Sequence, residues 1–145
     1  MKGLIQRVSE ASVKVDGGVV GQIDRGILLL LGVEKNDTKQ MADRLLQKIL
    51  SYRIFDDESG KMNLSLKDVD GALLIVSQFT LVADTKKGLR PGFSKGASPE
   101  SGLLLYNYFT DQARLSHHKI ELGVYGADMK VSLVNDGPVT FMLET

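Results

Sequence analysis

The sequence predicts an α+β fold in which a mixed or antiparallel sheet is packed by two main helices, with residues 1–145 forming one domain. Three observations carry this. The elements follow the order hairpin, strand, helix, strands, helix, strands, without internal repeat or low-complexity tract. Two apolar runs of strand length, residues 27–33 and 72–76, read as central strands covered on both faces. Residues 41–50 and 98–116 carry apolar positions at helical spacing behind N-cap chemistry.

Taken in order, residues 3–8 and 11–15 are extended, and Asp16-Gly17-Gly18 is a turn signal leading into 19–23, so the chain opens with a long hairpin. Arg7 stands among apolar neighbours there. It is either a solvent-facing residue of a one-sided sheet or an inward charge held by a partner, and position alone favours the former. After Gly26 comes the first buried run. Asn36-Asp37-Thr38 then caps a helix of about three turns in which Met41, Leu45, Leu46, Ile49 and Leu50 form the apolar stripe. Residues 53–55 return to strand, 56–60 form a turn and 62–66 are short and irregular. The second buried run, 72–76, follows. Ser98 as N-cap, Pro99 at the first helical position and Glu100 in the first turn open the second helix, which runs to about Ser116. Strands at 120–125 and 129–134 and a β-prone 139–143 complete the chain.

With 145 residues, the chain is long enough to bury roughly two-thirds of the surface that its unfolded form exposes, and it needs no staples. It has no Cys, hence no disulfide and no thiolate nucleophile or ligand. No apolar run approaches the ~20 residues of a membrane span, and the first residues lose apolar character too soon for a signal peptide. A cytoplasmic protein is expected. Zero formal net charge makes the whole molecule no magnet for nucleic acid, so any such contact is local. Its candidate is the segment 82–97, where Lys86, Lys87, Arg90 and Lys95 lie among glycines and Phe93. No metal or cofactor is expected: Asp56-Asp57-Glu58 lacks the alternating ligands of a calcium loop, and the adjacent His117 and His118 point opposite ways on extended chain.

Two stretches carry chemistry. Ser77-Gln78-Phe79-Thr80-Leu81 ends a buried strand, where sheets commonly present polar groups to a ligand. Strand alternation places Ser77, Phe79 and Leu81 on one face and Gln78 and Thr80 on the other. The second stretch, 134–140, contains Gly137-Pro138. Proline belongs at an edge, a bulge or a turn, so the pair is either an ordinary turn between strands or a place where backbone carbonyls and amides are exposed.

Together these stretches resemble the D-aminoacyl-tRNA deacylase family of the widespread bacterial and eukaryotic type. Ser77-Gln78-Phe79-Thr80 matches its first signature and Asn135-Asp136-Gly137-Pro138-Val139-Thr140 its second. Gln6-Arg7-Val8, Ala11-Ser12-Val13, residues 88–93 and 125–129 match in order between and before them. The resemblance implies a barrel-like sheet, a homodimer with active sites at the subunit interface, and a cis Gly137-Pro138 bond that reaches into the partner's pocket. There its carbonyls would hold the substrate's α-amino group and exclude an L side chain, while glycine would still fit. The implied substrate is the tRNA 3′ end carrying a D-amino acid or glycine. Ser77, Gln78, Phe79 and Thr80 would form the catalytic pocket. Gly137, Pro138, Arg7 and Met129 would bind substrate, Arg7 by bracing the Gly-Pro element across the interface. Thr80 resembles a nucleophile, but no base accompanies it. The resemblance points instead to the terminal 2′-hydroxyl activating water and to backbone N–H groups near Phe79 holding the oxyanion. The rival is a non-catalytic dimer binding single-stranded nucleic acid through Lys86, Lys87, Arg90 and Phe93. A serine- or threonine-type esterase would need a base that the sequence does not offer.

Overall fold

The computed structural model describes Met1–Thr145 throughout. β1 (Lys2–Val15) turns into β2 (Gly18–Ile23) through Asp16 and Gly17, whose φ values of 49° and 78° are those of a hairpin turn with the twist of its strands. The first half of β1 lies antiparallel to β3 (Gly26–Gly32), Gly3 opposite Leu31 and Arg7 opposite Ile27. β6 (Ala72–Ser77) runs parallel to β3, and β7 (Ile120–Leu122) parallel to β6. A separate small ribbon pairs β4 (Phe55–Asp56) with β5 (Met62–Leu64). β8 (Lys130–Glu144) follows the whole length of β1 antiparallel and completes a mixed, 6-stranded sheet.

This sheet curls almost into a barrel, because β2 swings back against β7. A Cβ on Gly21 would lie 2.5 Å from the carbonyl oxygen of Leu122, so the seam closes only where residue 21 has no side chain. Alternation explains why the two central strands are apolar throughout. Leu28, Leu74 and Val76 point into the barrel with Val8, Val13 and Ile23. Ile27, Leu29, Leu73 and Ile75 point outward into a larger core beneath the helices.

α1 (Lys39–Ser51) is capped by Thr38, whose Oγ1 accepts from the Met41 N–H, and α2 (Pro99–Ser116) by Ser98, which accepts from the Ser101 N–H. Both helices match the sequence reading and bury one stripe each against the outer face of the sheet. Elsewhere the expected strands shrink. The strand expected at 120–125 stops at Leu122, and that at 53–55 is only Phe55–Asp56. Gly137-Pro138 does not end a strand; β8 continues through it. No helix is long and apolar enough to cross a membrane.

Candidate active site

β6 ends at Ser77, the carboxyl end of the parallel strands, and the chain turns at once into a 3₁₀ helix, Phe79–Val82. The strand-like alternation expected through Leu81 therefore fails. The Gln78 N–H still bonds Leu31 O at 2.8 Å, but the Leu81 N–H already folds back to Gln78 O at 3.2 Å. In such a turn the opening N–H groups have no partner within the helix, which leaves those of Phe79 and Thr80 outside its ladder. The Gln78 Nε2 donates to Thr80 Oγ1. A carboxamide cannot take the proton of a hydroxyl, so Thr80 has no activating base beside it.

Beside this turn opens a cavity of about 480 Å³, lined by 18 residues of which 11 are hydrophobic. Ser77, Gln78 and Phe79 form one wall and Met129 another, so the structure unites these four predicted residues. Thr80 stands just outside the lining. The Met129 thioether accepts from the Val124 N–H at 3.4 Å, and a Cβ on Gly123 would strike its sulfur at 2.7 Å. Sequence reasoning gave no site role to Tyr106 and Tyr125, and gave Phe93 only one in nucleic-acid contact; all three line the cavity. Tyr106 reads as an ordinary helix-stripe residue, yet its hydroxyl reaches Ile75 O at 3.3 Å and burial pushes its pKa up to about 12. The Tyr125 hydroxyl donates to Pro99 O at 3.4 Å, and burial raises its pKa too. Both phenols stay protonated near neutrality. Asp128, a carboxylate in the lining, is solvent-exposed and ion-paired with Lys130 at 3.0 Å.

The second signature is a bulge. Gln6 lies opposite Thr140 and Val8 opposite Asn135, so residues 136–139 stand opposite Arg7 alone. The Gly137-Pro138 bond is cis, and Gly137 has a φ of 137°, a backbone region that side chains rarely adopt. Arg7 is not solvent-facing: it is 9% exposed. Its Nε donates to Asp136 O at 2.9 Å and its Nη1 to Ile54 O at 2.8 Å, with Asp56 and Asp136 carboxylates 3.5 and 3.8 Å away. These contacts brace the bulge of its own chain. Asn135 holds the other flank: its Oδ1 accepts from the Val139 N–H at 3.1 Å and its Nδ2 donates to Thr140 Oγ1 at 2.9 Å. Gln6 Nε2 donates to the same hydroxyl at 3.3 Å.

Within one chain, cavity and bulge do not meet. Ser77 shares a row with Leu31 and Gly3, whereas Arg7 shares one with Ile27 and Leu73. Four residues of β1 separate the rows, about 13 Å, and β8 lies on the side of β1 away from β6. The histidines take no part: His117 is buried on Gly71 O at 2.7 Å, and His118 faces out to Asp70 at 3.0 Å.

Fold and site together define a class: a nearly closed α+β barrel with a mainly apolar pocket at the carboxyl end of its parallel strands, beside a tight turn with free N–H groups, and with no histidine and a single, ion-paired carboxylate in its lining. The family described as D-Tyr-tRNA(Tyr) deacylase matches residues 4–144, and the chain belongs to it. A D-aminoacyl-tRNA deacylase of Pseudoalteromonas atlantica is 64% identical over 143 residues, 99% of each chain. One of Cellvibrio japonicus is 60% identical over 144 residues, again 99% of each. Among solved structures, the c-Myc DNA Unwinding Element Binding Protein superposes with a TM-score of 0.96 at 41% identity, covering 100% of this chain and 99% of that one. A probable eukaryotic D-amino acid tRNA deacylase superposes at 0.86 with 17% identity, covering 99% and 98%, which speaks for the fold alone.

Proposed function

We propose that this chain is a D-aminoacyl-tRNA deacylase, hydrolysing the ester between a D-amino acid, or glycine, and the 3′ end of tRNA to give the free amino acid and free tRNA. The observation that carries it is the cavity beside the Ser77–Thr80 turn, whose Phe79 and Thr80 N–H groups lie outside the helix ladder and whose one lining carboxylate, Asp128, is ion-paired with Lys130. Such a site stabilises an oxyanion but leaves activation of the attacking water to the substrate. Water adds to the ester carbonyl, the Phe79 and Thr80 N–H groups hold the developing oxyanion, and the terminal 2′-hydroxyl of the tRNA takes part in activating the water. The carbonyl re-forms as the ester oxygen leaves with a proton. Ser77, Gln78 and Thr80 shape the pocket without reacting covalently, and Met129 contacts the terminal adenosine. No cofactor enters.

The reading includes a homodimer. Residues 136–139 form a bulge on the outer strand β8, held from Arg7 and Asn135, yet they lie far from the cavity of their own chain. A second copy brings Gly137-Pro138 to the cavity, where its carbonyls receive the substrate's ammonium group and leave no room for an L side chain. Glycine has no side chain to exclude and is also cleaved. Contacts to tRNA fall on the shared 3′ end and on backbone, through the basic segment 82–97; acting on tRNA, the enzyme works in the cytoplasm.

The test is deacylation of D-tyrosyl-tRNA and L-tyrosyl-tRNA side by side. Release from the D ester with the L ester intact is expected; release from both, or from neither, contradicts the reading. A second reading is favoured by the 41% identical structure named as a DNA-element binding protein: a dimer that binds nucleic acid without turnover. It predicts strongly salt-dependent binding to uncharged strands and no release from either ester.

A further inference from the structure

Phe79 and Phe93 stand at the rim of the cavity with ring centroids 5.2 Å apart, 68% and 42% exposed. Two exposed aromatic rings in contact present a face that the fold itself does not use. Phe93 is also well anchored. Asp84 and Gly92 exchange backbone hydrogen bonds of 2.7 and 2.9 Å, which closes the segment before it into a loop. After it, the Gly96 N–H turns back to Phe93 O at 3.1 Å, and the Ala97 N–H bonds Val33 O at 3.1 Å. The charges of the segment are unevenly used. The Lys86 N–H holds the Asp84 carboxyl below the usual carboxylate range, and Asp84 pairs with Lys95 at 4.0 Å. Lys86, Lys87 and Arg90 enter none of the chain's ion pairs.

We infer that the Phe79–Phe93 pair is a stacking subsite for the unpaired base that precedes the terminal nucleotide of the RNA, with Lys86, Lys87 and Arg90 taking the phosphates upstream of it. This rests on the deacylase reading and adds a position to it. At about 480 Å³ the cavity is of a size for one drug-sized ligand, here the terminal nucleoside with its amino acid. The strand must therefore leave over the rim. On the side of segment 82–97 that rim is aromatic and its surroundings are cationic, the combination that holds single-stranded nucleic acid. Stacking reads no sequence, which suits an enzyme serving many tRNAs.

The experiment compares KM for D-tyrosyl-tRNA with KM for the D-tyrosyl ester of adenosine, which lacks the preceding nucleotide. In Phe93→Ala the ratio of the tRNA value to the adenosine-ester value is expected to rise roughly five- to hundredfold, the loss of one stacked base. Phe93→Tyr, which keeps the ring, is expected to restore it. A ratio unchanged in Phe93→Ala, or equally raised in Phe93→Tyr, overturns the subsite. So does a change of oligomeric state in Phe93→Ala by sedimentation, since the pair would then be packing against a second copy. Failure of the unsubstituted protein to hydrolyse either ester overturns the deacylase reading, and the subsite with it.

Discussion

Asn135 commits its whole amide to the bulge, accepting from the Val139 N–H and donating to Thr140 Oγ1. Each such bond contributes about 1 kcal/mol net. Asn135→Ala is therefore expected to loosen residues 136–139 and lower deacylation of D-tyrosyl-tRNA by about fivefold or more, with weaker rejection of the L ester. Kinetics on both esters checks it; unaltered rates and selectivity would mean that the bulge holds itself. Thr80→Ala, by contrast, should retain most activity, because its hydroxyl meets only a carboxamide. An acyl-enzyme on Thr80 in a quenched reaction would overturn that. Arg7 shows the limit of the sequence at this scale. Alternation says which face a residue takes, but its partners Ile54 and Asp136 lie 47 and 129 residues away, and no local pattern registers them. The signatures themselves were legible as residues, whereas Tyr106 and Tyr125, identical in type to core tyrosines, became site residues only through where the barrel puts them.

The helices were readable nearly to the residue because capping is local: Thr38 and Ser98 bond N–H groups three positions on. The end of β6 was not, since Phe79 and Leu81 are as apolar as strand residues and only the Leu81 N–H turning to Gln78 O stops the strand. At the junction of α2 with the cavity, Gly102 faces Tyr125, and a Cβ there would lie 2.5 Å from the phenolic oxygen. Alanine is favoured over glycine within a helix by about 1 kcal/mol, but this contact requires the ring to move. Gly102→Ala is thus expected to destabilise the protein, and the double variant Gly102→Ala with Tyr125→Phe to recover or exceed the starting stability. Urea unfolding of the three proteins decides it; a stabilised single variant would show that Tyr125 moves freely.

Over the whole molecule, the fold class was legible because two doubly covered strands and two capped helices leave few alternatives, while the near-closure of the barrel depended on Gly21 meeting Leu122, a contact between distant segments. Stability against acid is also spread over the molecule. The Asn63 amide and the Lys61 and Ser59 N–H groups hold the Asp57 carboxyl below its usual 3.8, Ser65 does the same for Asp68, and Lys119 for Asp70. A carboxyl with a lowered folded pKa stabilises the fold above its unfolded value and loses that contribution as pH falls through the folded one. Asp57→Asn should therefore lower Tm at about pH 6, with the difference from the unsubstituted protein shrinking below about pH 3. A difference that does not vary with pH would contradict this assignment. The central claim, that one copy's cavity is completed by the other's Gly137-Pro138, is tested most directly by mixing two variants after unfolding and refolding them together. One carries Ala127→Trp, filling the cavity; the other carries Gly137→Ala, whose Cβ would strike the Val139 side chain at 2.6 Å. A two-fold dimer with shared sites regains about a quarter of the unsubstituted activity on D-tyrosyl-tRNA, because half of the refolded dimers are hybrids with one intact site. A mixture no more active than its two components would contradict the account.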